Sequence, residues 1–281
     1  MSIKEQFAVY KQQIKWFWRI FFIGAGVVML FIILLSLGVF GKLPSFEELE
    51  NPRSNLSTQI ISSDGELLGR FYRENRTNAT FKELPTHLID ALVSTEDRRY
   101  YEHSGIDAKS VMRVIFKTLI LQQSESGGGS TLTQQLAKNL YGRPTVSNKF
   151  ELAVTKLKEW VTASKLERRY TKEEIIVMYL NTIPYIYDAS GIKTASKTFF
   201  NKSVSDLTVE EAAVLVGMVQ NPAFYNPVRF PERTLERRNI VLHEMHEAGK
   251  LSDKDYEATK AKPLVLDFKR QDHKSGNGTY F

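Results

Sequence analysis

Residues 94–103 have the sequence STEDRRYYEH, and residues 127–139 have the sequence GGGSTLTQQLAKN. In the first stretch the carboxylate of Glu96 lies among arginines. The second stretch begins with three glycines, and the polar, helical pattern after them carries Lys138. A carboxylate and a cation-bearing helix end are what a site needs to activate a hydroxyl and to hold an anionic leaving group. Taken singly, each pattern is also typical of a solvated helix face or a loop, so the residue types alone leave the choice open.

The two stretches resemble the first two motifs of the family 51 glycosyltransferases, the peptidoglycan transglycosylase module of class A penicillin-binding proteins and of monofunctional glycosyltransferases. Residues 96–107, EDRRYYEHSGID, and residues 128–139, GGSTLTQQLAKN, match those motifs nearly letter for letter, in the family's order and spacing. The resemblance implies a mainly α, lysozyme-like catalytic domain.

Composition bounds the class of protein. The chain has 281 residues, of which 42% are hydrophobic and 25% charged, as expected for a folded protein. A net charge of +6 suits nucleic acid, an anionic membrane surface or a phosphorylated substrate. The basic residues are dispersed and form no known nucleic-acid module, so we expect no nucleic-acid partner. Cysteine is absent, which excludes disulfides, thiolate catalysis and cysteine metal sites.

An apolar run near the amino terminus predicts one transmembrane helix. Residues Ile20 to Phe40 carry no charge over 21 positions, enough to cross a hydrocarbon core of roughly 30 Å. Trp16 and Trp18 suit the membrane interface, and four basic residues precede the run whereas only Lys42 follows closely. We therefore expect a single-pass protein of the bacterial cytoplasmic membrane, with a cytoplasmic amino terminus and the catalytic domain on the outer, periplasmic face.

The rest of the chain divides by pattern. Asp64-Gly65 between two apolar runs predicts a small β-hairpin stalk. The predicted organisation is a cytoplasmic tail at 1–19, a transmembrane helix at 20–40, a linker and hairpin stalk at 41–84, the glycosyltransferase domain at 85–250, and a linker at 251–281 that leads toward a transpeptidase domain, as in bifunctional members of the family.

Helical patterns fill the predicted domain. Apolar residues at three- and four-residue spacings after Pro85 lead into Glu96, which places Glu96 near the carboxyl end of a helix. A long helix is predicted from about Asn148 to Tyr170, and Thr171 with Glu174 forms the capping box of the next. Residues 203–215 predict a further capped helix with a structural role. The apolar segment 111–121 is compatible with a core helix and, by the resemblance, with a lobe on the membrane surface.

The resemblance implies roles for individual residues. Glu96 corresponds to the general base that takes the acceptor's hydroxyl proton, and Glu159 assists on the donor and leaving-group side. Cations and polar groups would bind the pyrophosphate: Arg99, Ser130, Gln134, Gln135, Lys138, Asn139 and Lys156. Helical spacing further predicts that Ser130, Gln134 and Lys138 share one face of a helix whose amino end lies at Gly128-Gly129.

By the resemblance, Lys156-Leu157-Lys158-Glu159 belongs to the third motif of the family and Tyr179-Leu180-Asn181 begins the fourth, and the chain departs from the family in both motifs. Thr155 and Glu151 stand where arginines are usual, and Lys149 or Arg143 is a candidate to replace the lost charge. Pro184 lies inside the fourth motif, where it supplies neither a hydroxyl nor an amide donor.

The resulting hypothesis is a membrane-anchored, inverting glycosyltransferase that polymerises lipid II into glycan strands and releases undecaprenyl pyrophosphate. Its expected partners are lipid II, the lipid-linked glycan chain, the membrane and other cell-wall synthesis proteins. No cofactor is firmly expected, although a divalent cation, Mg²⁺ or Mn²⁺, is compatible with the substrate's pyrophosphate; no protein-only metal site is predicted. Two alternatives stay open: a catalytically weak scaffold that binds lipid II or partner proteins, and a lysozyme-like glycoside hydrolase.

Overall fold

A computed structural model describes residues 3–39, 58–61, 67–71, 75–76, 78–119, 129–141 and 148–270. Most of these residues are helical, which confirms the mainly α class. The longer helices are α1 (Ile3–Ser36), α2 (Thr86–Glu96), α3 (Ala108–Leu119), α4 (Leu132–Tyr141), α5 (Lys149–Arg169), α6 (Lys172–Thr182), α7 (Ile192–Phe200), α8 (Val209–Val219), α9 (Pro231–Glu247) and α10 (Asp253–Lys260). Single turns of 3-10 helix cover Phe81–Glu83, Tyr100–Glu102 and Val204–Asp206.

Helix α1 is the predicted apolar helix. Its segment Tyr10–Phe31 has a mean hydropathy of 1.6 and none of it is buried against the rest of the protein. By length and composition it is able to cross a membrane. The helix begins at Ile3, inside the predicted tail, and ends at Ser36, so its limits differ from the predicted 20–40. Phe40 lies outside the described residues.

Two pairs of short strands accompany the helices. Strand β1 (Thr58–Ile61) pairs antiparallel with β2 (Leu67–Phe71), with Thr58 opposite Phe71, as the hairpin prediction requires. The Asp64-Gly65 turn itself lies outside the described residues. Strand β3 (Asn75–Arg76) pairs in parallel with β4 (Ala189–Ser190), which connects the segment before the helical domain to the fourth motif.

The core forms where α2, α8 and α9 pack together. Helix α8 is apolar nearly all round and is buried from Ala212 to Met218, as expected of a central helix. Leu88 and Leu92 of α2 and Leu242 of α9 are likewise buried. Because α2 is held on this core up to its last turn, Glu96 at its carboxyl end has a fixed position.

Helix ends follow their sequence signals. Thr171 accepts a hydrogen bond from the Glu174 amide at 3.2 Å while the Glu174 carboxylate accepts one from the Thr171 amide at 2.7 Å, so the predicted capping box is confirmed. Thr208 and Glu211 form a second capping box at the start of α8. Helix α5, capped by Asn148, closely matches the predicted range.

The fourth motif is anchored by Asn181 at the end of α6. Its side-chain oxygen accepts from the Ala79 amide and its side-chain nitrogen donates to the Ala79 carbonyl, both at 2.9 Å. The side chain of Asn181 thus pairs with both backbone groups of Ala79, as a neighbouring β-strand would, although the two residues lie far apart in the chain. Gly191 crosses directly over Asn181 with a φ of +82°, and a Cβ there would lie 2.9 Å from the Asn181 carbonyl oxygen. Pro184 is exposed nearby and forms a single bridge with Ser190.

The carboxyl-terminal stretch packs on the helical domain as far as Arg270. Arg238 is almost fully buried and donates to the carbonyls of Lys260 and Lys262 at 2.9 and 2.7 Å. The Lys269 amide donates to the Thr198 carbonyl at 2.8 Å. Much of the region expected to be a linker therefore belongs structurally to the helical domain.

Gly191→Ala should lower the free energy of unfolding by about 2–4 kcal/mol, because it adds a backbone clash to the cost of a left-handed residue. Gly249→Ala is the matched control: Gly249 has a φ of +71° and open space within 4 Å of where its Cβ would stand, so only about 1–2 kcal/mol should be lost. Urea titration followed by circular dichroism measures both values. Equal losses would contradict the proposed contact.

Candidate active site

Glu96 lies on the wall of a cavity of ≈ 530 Å³. The cavity is bounded by the end of α2 and the loop after it, by α3 and by the residues that precede α4. Its wall includes Glu96, Arg99, Asp107, Arg113, Ser130 and Thr131. The wall therefore carries both signs of charge, since the acidic residues Glu96, Asp97, Glu102, Asp107 and Glu244 line it together with the arginines Arg98, Arg99 and Arg113.

Two side chains from other helices hold the Glu96 carboxylate. Gln135 of α4 donates its Nε2 to Glu96 Oε2 at 3.0 Å, and a guanidinium nitrogen of Arg237, on α9, lies 3.8 Å from Glu96 Oε1. The Glu96 side chain is 14% exposed and that of Arg237 13%. The carboxylate thus has one directed donor and one nearby cation, and it keeps some access to solvent.

A buried tyrosine stands behind this pair. The Tyr179 hydroxyl donates to Gln135 Oε1 at 2.8 Å. Burial, and next the negative charge of Glu96, raise the pKa of Tyr179 well above its ordinary value. The hydroxyl therefore remains a proton donor at any pH at which the protein works.

Asp97 joins the first motif to the second. Its Oδ2 accepts from the amide of Leu132, the first residue of α4, at 3.0 Å, and its Oδ1 lies 3.0 Å from His103 Nε2. A carboxylate at a helix amino end satisfies a free amide and interacts favourably with the helix dipole. The Thr131 hydroxyl adds a second link by donating to the Gly105 carbonyl at 2.7 Å.

Arg99 is engaged on the cavity wall. Its guanidinium donates to Asp107 at 2.6 to 3.2 Å and to the Ser110 hydroxyl at 3.2 Å. Desolvation by itself would raise the pKa of Asp107, but the hydrogen bonds from Arg99 and Ser110 outweigh it and lower that pKa to about 2. Arg99 is thus partly neutralised, with its side chain 30% exposed.

The third motif meets the second at Lys156. Its Nζ donates to Ser130 Oγ at 3.0 Å and to Glu159 Oε2 at 2.6 Å. Glu159 is buried, with its side chain 7% exposed, whereas the Lys156 side chain is 35% exposed. Lys156 and Glu159 lie one turn apart on α5, and the pair presents an ammonium group beside Ser130.

The predicted helix start at Gly128-Gly129, and with it the place of Ser130 on the helix, is wrong, whereas Gln134 and Lys138 both lie on α4 four residues apart. Helix α4 begins at Leu132, with Thr131 as its cap: the Thr131 hydroxyl accepts from the Gln134 amide at 3.2 Å, so Ser130 precedes the helix. Gln134 is 1% exposed and donates to the Gly105 carbonyl at 3.1 Å, a contact that holds the fold. Lys138 and Asn139 lie exposed near the other end of α4.

Two site residues were missed in the sequence. Arg113 of α3 lines the cavity and donates to Ser110 Oγ at 3.2 Å. Its signal was present as a cation inside the otherwise apolar segment 111–121. Arg237 carries no local signal, because only the packing of α9 on α2 brings it to Glu96.

The departure at Glu151 in the third motif has a structural explanation. Asn148 accepts from the Glu151 amide at 2.9 Å and donates to the Glu151 carboxylate at 3.2 Å, so Glu151 helps to start α5. Thr155 is half-buried on the same helix. Lys149 lies exposed in the first turn, and Arg143 lies outside the described residues.

Comparison with known proteins adds a family match. Residues 64–246 match the family model described as Transglycosylase. Penicillin-binding protein 1F of Bacillus subtilis is 39% identical over 215 residues, which are 76% of this chain and 29% of that protein. Penicillin-binding protein 1A of Escherichia coli is 34% identical over 227 residues, which are 81% of this chain and 26% of that protein. The chain thus spans less than a third of the length of these relatives.

One solved structure aligns with a similar share of the chain. Penicillin-binding protein 1A from Haemophilus influenzae covers 76% of this chain and 21% of its own, at 24% identity and a TM-score of 0.43.

The ion pair of Arg99 and Asp107 should make the free energy of unfolding depend on pH in the acid range. Because the folded pKa of Asp107 is about 2, below its ordinary 3.8, the stabilisation is present above about pH 4 and is lost as the pH falls toward 2. As the pH is lowered from 4.5 to 2, roughly the range spanned by the two pKa values, the free energy of unfolding of Asp107→Asn should therefore fall less than that of wild type. Urea titrations across this range, with Asp206→Asn on the surface as control, measure the difference. Identical pH dependence in wild type and Asp107→Asn would refute it.

Proposed function

The chain belongs to the transglycosylase family found in class A penicillin-binding proteins, and on that premise we propose that it is a peptidoglycan glycosyltransferase that polymerises lipid II into glycan strands. The proposed reaction joins the 4-hydroxyl of an acceptor GlcNAc to the anomeric carbon of a lipid-linked donor. It releases undecaprenyl pyrophosphate and inverts the anomeric centre from α to β.

The observation that carries the proposal is the shared cavity. Glu96, held by Gln135 and Arg237, faces the same space as Arg99, Arg113 and Ser130. A glycoside hydrolase also needs carboxylates, but its leaving group is a neutral hydroxyl and has no use for such a set of cations. A pyrophosphate leaving group concentrates negative charge where the cations lie.

In the proposed mechanism Glu96 removes the proton from the acceptor hydroxyl as its oxygen attacks the anomeric carbon. The bond from that carbon to the pyrophosphate oxygen breaks, and its electron pair leaves with the pyrophosphate. Arg113, Lys156 and the Ser130 hydroxyl stabilise the developing charge. Glu159 keeps Lys156 in place through the contact of 2.6 Å, so its help to the leaving group is indirect.

The proposed mechanism uses no metal ion held by side chains of the cavity wall. Asp107 is already bound to Arg99. Among the described residues, His243, His246 and Glu247 could together hold a metal ion, but none of the three lines the cavity. We propose that Mg²⁺ or Mn²⁺, when present, arrives with the pyrophosphate oxygens, and the mechanism assigns no step to it.

The membrane placement belongs to the same proposal. With α1 as a single-pass anchor and its basic end in the cytoplasm, the catalytic domain would stand on the outer face of the bacterial cytoplasmic membrane. That face is where a lipid-linked donor and a growing glycan chain would meet the cavity. Contacts with other cell-wall synthesis proteins would then involve the rest of the domain surface.

Glu96→Gln should lower the polymerisation rate by at least about a hundredfold, because it removes the proton acceptor and keeps the size of the side chain. Lipid II turnover by the full chain in detergent measures the rate, and binding of lipid II should stay nearly unchanged. The same assay with finished peptidoglycan as substrate tests the hydrolase alternative. Activity of the variant within about threefold of wild type would remove Glu96 from the role of base.

Lys138→Ala should weaken binding of a pyrophosphate-bearing donor, or of a phosphoglycolipid inhibitor of the moenomycin kind, by about 2 kcal/mol or more. Lys138 is exposed on α4, one turn beyond Gln135, and does not line the cavity, so this prediction requires the bound donor to extend past the cavity along α4. Lys197→Ala, an exposed lysine on α7, is the matched control and should change affinity by less than about 1 kcal/mol. Equal inhibitor affinities for the two variants would place Lys138 outside the site.

A further inference from the structure

Tyr179 is buried behind the cavity and does not line it. It belongs to the last turns of α6, a helix whose other buried side chains pack in the hydrophobic core. A tyrosine in such a place must find a partner for its hydroxyl, since an unpaired buried hydroxyl is costly. Here the partner is the amide oxygen of Gln135, at 2.8 Å.

The two ends of the Gln135 amide have different neighbours. Its oxygen accepts from Tyr179, and its nitrogen donates to Glu96 Oε2 at 3.0 Å. A flipped amide would point its oxygen at the carboxylate, which repels it. The Glu96 carboxylate therefore sets the orientation in which Gln135 is a donor, and the Tyr179 hydroxyl holds the amide in that place by donating to its oxygen.

We infer that Tyr179 is a positioning residue for the proposed reaction: through Gln135 it fixes the direction in which the Glu96 carboxylate faces the acceptor hydroxyl. The inference rests on the proposed function. It gives the fourth motif a part in the chemistry in addition to its structural part through Asn181. Tyr179 itself touches no reacting atom.

In the part of the chain that the structure describes, the other charged neighbours of Glu96 do not replace this link. Arg237, on α9, approaches the other carboxylate oxygen at 3.8 Å, too far for a directed hydrogen bond. Its guanidinium is also occupied, since its Nε donates to the Gly217 carbonyl at 3.4 Å and the group lies 5.7 Å from the Tyr225 ring centre. Glu244, also on α9, lines the same cavity but is a like charge. Arg237 thus attracts the Glu96 carboxylate electrostatically, whereas the hydrogen bond from Gln135 fixes its orientation.

Tyr179→Phe tests the inference because it removes one oxygen and keeps the ring that packs in the core. With lipid II as substrate, the variant should lose about three- to tenfold in kcat, the equivalent of one hydrogen bond, at an unchanged half-saturating concentration. Tyr185→Phe is the matched control. Tyr185 is a second buried tyrosine of the same motif, but its hydroxyl donates to the Leu215 carbonyl at 3.4 Å, away from Glu96, so kcat should stay unchanged.

A double-mutant cycle separates positioning from general loosening of the fold. If Tyr179 acts through Gln135, then Tyr179→Phe should cost nothing further in a Gln135→Ala background. Independent, multiplying losses in the two variants would overturn the inference. So would a loss in Tyr179→Phe that Tyr185→Phe reproduces.

A measurement that does not depend on turnover tests the role of Tyr179 separately from the proposed function. The side-chain amide resonance of Gln135 in ¹⁵N-labelled full chain, identified by its loss in Gln135→Ala, should move in Tyr179→Phe toward the position of the exposed Gln220 amide. It should not move in Tyr185→Phe. Failure of wild type to polymerise lipid II would refute the proposed function alone, whereas an unmoved Gln135 resonance in Tyr179→Phe would refute the role of Tyr179.

Discussion

The hydrogen bond from the Leu132 amide to the Asp97 carboxylate is the contact on which the site depends. It ties the first residue of α4 to the residue after Glu96, and the Thr131 hydroxyl caps the helix by accepting from the Gln134 amide at 3.2 Å. With the start of α4 set, Gln135 falls one turn inside the helix and reaches Glu96, while Ser130 stays outside it and meets Lys156. A buried carboxylate and a helix cap therefore determine together which groups of the second motif face the chemistry.

Charge in the site is arranged in pairs. Arg99 is bound by Asp107 and Lys156 by Glu159, so neither cation is left uncompensated when no ligand is present. Buried or half-buried charges are costly without such partners. Paired cations can still turn toward a stronger anion, because their side chains remain partly exposed. This arrangement suits a pyrophosphate that binds, reacts and leaves.

The regions expected to be structural also shape the site. Helices α8 and α9 form the core, and through Arg237 that core places a cation beside Glu96. The fourth motif anchors its own segment through Asn181 and Ala79 and supports Gln135 through Tyr179. Pro184, the visible departure in this motif, is exposed and leaves both contacts intact. The departure at Glu151 is similarly absorbed by a helix cap.

The sequence by itself determined what short-range physics controls: the apolar length of α1, the paired hairpin strands, the capping box of Thr171 and Glu174, and the helical neighbours Lys156 and Glu159. Those features need only residues within a few positions of one another. Its motifs also pointed to Glu96 as the proposed base and to the family. Only the tertiary structure decided where α4 begins, why Gln134 is buried, and that Tyr179 and Arg237 converge behind Glu96. Each of these depends on helices distant in the chain packing together, and residue spacing along one segment carries no information about such contacts.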